Sequence, residues 1–166
     1  MAEFYAGGQL IFDKNAIHEN LLNNSVGPFV LKGNLSKLNW EIFDLSTANL
    51  VKGKSYCLSL NSTGTLVSQF DSKSNINNFQ VWLYQVSNPS TYYLVQGPQS
   101  PQKLNSIVFN HGGENGLWKL CIQFFGAYDT ILGKTPPISQ VKIEEGTNAT
   151  AWIPSSQDLA DLMSKK

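Results

Sequence analysis

The chain has 166 residues, of which 42% are hydrophobic, 11% aromatic and 14% charged, a balance that suits one domain with a core of ordinary size. Its twelve basic residues are all lysine and are matched by twelve Asp and Glu. There is neither a cationic field to hold a phosphate backbone nor a guanidinium fork to read bases, which argues against nucleic acid as a partner. No apolar run approaches the roughly 18 residues that a membrane-spanning helix needs, and MAEFYAGGQLIF lacks the basic start and long apolar stretch of a signal peptide, so no membrane insertion is expected.

The first stretch, residues 1–19, carries paired glycines at Gly7 and Gly8 and reads as an N-terminal arm or a first edge strand. NLLNNSVGPFVL places Leu21 and Leu22 before an Asn/Ser/Gly/Pro turn and a short strand at Phe29 to Leu31, and LNWEIFDLS, from Leu38, is another extended candidate. After a Lys-Gly-Lys turn, Tyr56, Leu58 and Leu60 alternate with Ser55, Cys57 and Ser59, the pattern of a half-buried strand. NNFQVWLYQVSNPS then sets Phe79, Val81 and Leu83 against Gln80, Trp82 and Tyr84 before an Asn-Pro-Ser turn. Both faces of that strand carry large side chains, so one of them must be covered or must bind something.

TYYLVQGPQSPQKLNSIVFNHGGENGLWKLCIQFFGAY is expected to hold several strands, with a Gly-Pro break and a Gly-rich hairpin loop at Gly112 to Gly116, and ISQVKIEEG to be the last strand. The expected core is Tyr56, Leu58, Leu60, Val81, Leu83, Leu120, Ile122 and Phe124. About eight short strands with turn chemistry between them predict an all-β fold, an antiparallel β-sandwich of jelly-roll type over residues 20–154. A short C-terminal helix follows over residues 155–166, capped by Ser155 or Ser156 and carrying Leu159, Leu162 and Met163 on one face. So short a helix is not stable alone, which suits a connector or a contact through which the chain self-associates into a homo-oligomer.

Catalytic chemistry is thin. His18 and His111 are the only histidines. His111 opens HGGENG, which resembles the oxyanion loop of some esterases, but no Gly-x-Ser-x-Gly elbow accompanies it and a hairpin loop is the simpler reading. Glu144 and Glu145 are strand neighbours whose side chains point to opposite faces, so they cannot flank one glycosidic bond, and nothing in the spacing of Glu41, Asp44 and Asp71 brings them together. Cys57 and Cys121 lack metal-ligand spacing and read as thiols packed in sheets, and no Asp-rich calcium loop occurs. No metal, cofactor or hydrolytic activity is expected.

The side chains with chemistry to offer are aromatic. A sugar has an apolar face of C–H groups and an edge of hydroxyls, so it is gripped by a ring laid under the face with amides and hydroxyls around the rim. The candidates are Gln80, Trp82 and Tyr84 on one strand face, with Tyr92, Tyr93, Trp118 and Gln123 on neighbouring strands. The plainer alternative is that these rings are core, most readily Trp118. Trp40 and Trp152 read as packing residues at strand ends.

With those residues laid out, a resemblance covers roughly Asn20 to Asp158. NLLNNS resembles the opening Asn-Leu-Leu-x-Asn-Ser of carbohydrate-binding jelly rolls, and LVKGKSYCLSLNS is similar to their Leu-x-x-Gly-Lys-x-Tyr-x-x-Ser strand. QVKIEEGTNATAWIPSSQDL resembles the ending Lys-Leu-Glu-x-Gly-x-x-Ala-Thr-x-Trp-x-Pro-x-x-x-Asp of minor structural proteins in tails and baseplates of phages of Gram-positive bacteria. It is carried here by Lys142, Glu144, Gly146, Ala149, Thr150, Trp152, Pro154 and Asp158, with Ile143 in place of Leu. The resemblance implies a virion component, assembled in the host cytoplasm, that binds host cell-surface polysaccharide and other tail or baseplate proteins. A structural tail or baseplate domain of the same fold with no sugar site is the other reading it supports.

Overall fold

The computed structural model describes residues 4–6, 9–12, 18–27, 29, 46–95, 106–126, 131 and 133–165. The extended candidate at Leu38, with Trp40, Glu41 and Asp44, lies outside the described residues up to Ser46, as do Val30, Leu31 and Lys166. Among the described residues the fold is mostly β, with a C-terminal helix. Its strands are β1 (Phe4–Ala6), β2 (Gln9–Phe12), β3 (Thr47–Leu50), β4 (Ser55–Ser62), β5 (Thr65–Leu66), β6 (Asn78–Gln85), β7 (Tyr92–Leu94), β8 (Ser106–Asn110), β9 (Gly116–Phe124) and β10 (Ile138–Glu145), followed by helix α1 (Ser156–Ser164).

β1 and β2 pair antiparallel as a sheet of their own. β4 is the centre of a three-stranded sheet, flanked by β10 and β8. A five-stranded sheet runs β3-β9-β6-β5, with β7 also on β6. The expectation of a wholly antiparallel fold needs one correction: β5 pairs parallel to β6, through Thr65 and Leu66 against Asn78 and Phe79. Two residues suffice for this contact, and Gly64 makes it possible, since a Cβ there would sit 2.8 Å from the Asn77 carbonyl oxygen.

The period-two strands turn one face of each larger sheet onto a single hydrophobic cluster. Tyr56, Leu58 and Leu60 of β4 meet Val81 and Leu83 of β6 and Leu120, Ile122 and Phe124 of β9 there, all buried. β10 contributes Ile138, Val141 and Ile143. Ile138 and Val141 are three apart, so a regular strand would send them to opposite faces. The register shifts between Ser139 and Lys142, and Gln140 takes a φ of 52°, a bulge that inserts one residue and keeps both side chains inside.

Residues 20–27 and Phe29 stitch the two larger sheets together. Leu22 bridges to Ala48 of β3, and Phe29 bridges to Ile138 of β10. Between those points Asn23 donates to the Thr47 carbonyl, while Val141 donates to that of Ser25.

Candidate functional site

With Phe79, Val81 and Leu83 turned inward, Gln80, Trp82 and Tyr84 of β6 face outward, as the alternation predicts. Strand pairing arranges their neighbours in rows across β7, β6 and β9. Gln80 lies opposite Gln123; Trp82 lies between Leu94 and Cys121; Tyr84 lies between Tyr92 and Lys119. One step further, the Val86 N–H donates to the Leu117 carbonyl at 3.0 Å, and these side chains are 47% and 50% exposed. The outward face therefore grades from amides through aromatic rings to aliphatic groups.

Its centre is a run of three rings. Tyr84 and Tyr92 stack with centroids 5.1 Å apart and planes inclined by 24°, and Tyr92 leans on Trp82 at 5.9 Å and 60°. Tyr92 is the outermost at 53% exposed, whereas Trp82 and Tyr84 are half-buried. Gln80 is buried, its Nε2 donating to the Ser68 carbonyl at 3.2 Å, and Gln123 beside it is half-buried.

Two of the seven candidates fall on the other side of the sheet. Trp118 is wholly buried in the shared core and offers no face to a ligand. It pairs with Gln85, one step out of phase with Tyr84, so its ring must point inward. Tyr93 likewise alternates away from Tyr92: its hydroxyl lies 2.7 Å from His111 Nδ1 and its ring 5.4 Å from that of Trp118. Burial pushes the Tyr93 phenol well up from its ordinary value.

The HGGENG loop belongs to this inner cluster. His111 is fully buried, with Nε2 3.1 Å from the Glu114 carbonyl, which also accepts from Trp118 Nε1 at 2.9 Å. With Nε2 donating to the Glu114 carbonyl, a neutral ring accepts the Tyr93 hydroxyl hydrogen at Nδ1, and both nitrogens have partners. Burial lowers its pKa, against the opposing pull of the Glu114 carbonyl and carboxylate. Gly113 is required because a Cβ there would run into the Trp118 ring. These groups occupy both ring nitrogens of His111 and lock the loop.

The most specific motif residues also hold structure. Lys142 and Glu144 point outward from β10 but are fully buried, because the chain after Gly146 folds back over them. The Thr150 N–H and hydroxyl donate to the Glu144 carboxylate at 2.8 and 2.6 Å, and Lys142 Nζ lies 3.1 Å from it. Lys142 also donates to Thr150 Oγ1 and to the Ala151 carbonyl, and Trp152 Nε1 donates to the Val141 carbonyl. Pro154 precedes Ser155, which caps α1 in a reciprocal box with Asp158.

The opening motif meets the closing one here. Asn20 Nδ2 donates to Ser25 Oγ and to the carbonyls of Val141 and Ile153, while its Oδ1 accepts from the N–H groups of Leu22 and Ile143. The turn at Gly146 and the return of Trp152 over the end of the sandwich follow from the sequence, whereas the burial of Lys142 and Glu144 beneath that return and their partners across the chain do not.

Among the described residues no three His, Cys, Asp or Glu side chains gather in a way that could hold a metal ion, and no helix is long and apolar enough to cross a membrane. Cys57 and Cys121 are buried and not joined in a disulfide. Compared with protein-family models, curated proteins and solved structures, the chain has no match.

Proposed function

We propose that the chain is a non-catalytic saccharide-binding module of jelly-roll type, a β-sandwich carried by a phage tail or baseplate protein that helps attach the virion to host cell-wall polysaccharide. The observation that carries this reading is the outward run of Trp82, Tyr84 and Tyr92 beside Gln123. Aromatic rings at graded exposure with amides beside them supply a stacking surface for sugar C–H groups and hydrogen bonds for the rim. The phage assignment rests on the resemblance of the two end motifs.

A second reading, a tail or baseplate assembly domain without a sugar site, draws on a different observation. Leu159, Leu162 and Met163 of α1 are 47%, 47% and 75% exposed, an apolar stripe of the kind that docks on a partner protein or a second copy. A glycan array followed by retention on purified Gram-positive cell-wall polysaccharide separates the two. Retention by the wild type, lost in Tyr92→Ala but kept in Leu162→Ser, supports the first. No retention on any wall, with association in solution abolished by Leu162→Ser, supports the second.

A further inference from the structure

Trp82 holds an unmet hydrogen-bond donor. Its ring is only partly buried, yet the indole Nε1 has no exposed surface and meets no acceptor among the described residues. Trp118 and Trp152 behave otherwise, donating to the carbonyls of Glu114 and Val141 at 2.9 and 3.1 Å. Native proteins rarely leave a buried N–H unpaired, because it has given up water and received nothing in return.

The position of this orphan narrows what could complete it. It lies on the outward face, and its in-register neighbours, Leu94 and Cys121, have no side-chain oxygen to offer. The exposed ring in contact with it, Tyr92, stands on a three-residue strand at the edge of β6. A half-exposed side chain on such an edge exchanges rotamers readily, whereas the half-buried indole is held from both sides of its strand.

The geometry points to Trp82 as the hydrogen-bond donor of the saccharide site, with Tyr92 as the movable ring that turns aside and then stacks on the sugar. An acceptor oxygen of the sugar, a hydroxyl or an acetamido carbonyl, receives the Nε1 hydrogen, and the sugar's C–H face lies against Tyr92 and Tyr84. This assignment rests on the saccharide reading and divides the labour within it: stacking comes from the tyrosines, and selection among sugars comes from the indole. A site built to donate one hydrogen bond rejects sugars that lack the matching oxygen more sharply than a stacking surface does.

The test follows the indole N–H resonances of the 15N-labelled protein, with Trp82 assigned by Trp82→Phe, during titration with N-acetylglucosamine oligosaccharides and a soluble Gram-positive cell-wall polysaccharide fraction. The expected result is a downfield move and slower exchange of the Trp82 indole proton at saturation. Trp82→Phe, which keeps an aromatic ring and drops the donor, should bind roughly three- to tenfold more weakly, the worth of one neutral hydrogen bond. Movement of Tyr92 signals with the Trp82 indole proton unmoved would overturn this inference and leave the saccharide reading standing. Wild-type protein that binds neither preparation would overturn both.

Discussion

Ser25 and Asp158 stand 133 residues apart in the chain and are joined by two hydrogen bonds, from the Ser25 hydroxyl at 2.6 Å and its N–H at 3.1 Å to Oδ2 of the aspartate. Asn24 N–H adds a third at 2.7 Å to Oδ1, and the Ser155 N–H completes the helix cap. The first and last motifs of the resemblance thus lock one another. Burial alone would raise the Asp158 carboxyl, but the donors of Ser25, Ser155 and Asn24 outweigh it and hold the group below its ordinary value.

Asp158→Ala should therefore destabilise the fold by about 2–4 kcal/mol, since it removes the N3 half of the capping box and strands the buried donors of Ser25. Urea denaturation measures the loss. A carboxylate with a depressed folded pKa contributes stability that is present above its unfolded value near 3.8 and lost as the pH falls through the folded one. Asp158→Asn should accordingly be less stable than wild type at neutral pH, with the difference shrinking below pH 4.

The buried Lys142–Glu144 pair predicts a non-additive cycle. Lys142→Met leaves the Glu144 charge without its cation and should cost about 3–5 kcal/mol, whereas Lys142→Met with Glu144→Leu should recover part of that loss. Thermal or urea unfolding of the two single variants and the double variant reads the coupling. Additive losses would mean that the two groups act independently inside the clasp.

His111 sets a second pH window. Its folded pKa lies below the ordinary 6.5, so the unfolded chain binds the proton more readily. Stability from the neutral imidazole is complete above that ordinary value and declines as the pH falls from it toward the folded pKa. Urea midpoints between pH 8 and pH 5 should fall in the wild type and stay flatter in His111→Gln, once each is referred to its own value at pH 8.

Gly113→Ala tests why the loop over Trp118 is glycine-rich. The added methyl meets the indole ring well inside contact distance. Overpacking of this kind costs about 1–3 kcal/mol, visible as a lowered melting temperature.

Much of the fold was legible because strand faces declare themselves in a period of two. The eight expected core residues of β4, β6 and β9 are buried, and Gln80, Trp82 and Tyr84 share the opposite face as read. Trp118 reads as core more readily than Trp82, which alternates against Val81 and Leu83, and strand pairing bears this out by setting Trp118 opposite Gln85, out of phase with Tyr84. The parallel β5–β6 contact, the bulge at Gln140 and the Asn20 and Lys142–Glu144 bonds of the clasp depend on distant partners and leave no mark in their own neighbourhood, whereas Gly146 and Trp152 do mark the turn and the return of the tail. Ser155 was foreseen as one of two caps, and the helix starts one residue after it.

The central claim is that the outward rings of β6 and β7 bind sugar, and calorimetric titration of the wild type and Tyr92→Ala with a soluble Gram-positive cell-wall polysaccharide fraction tests it most directly. Millimolar to micromolar affinity per site, about 4–8 kcal/mol, is within reach of a few rings and hydrogen bonds and would be multiplied by avidity on a virion. Tyr92→Ala should weaken binding by about 1–2 kcal/mol, from the stacking that an exposed ring provides, while the melting temperature stays within a degree or two. Equal affinity in the two proteins, or no binding heat from the wild type with every wall fraction tried, would contradict the account.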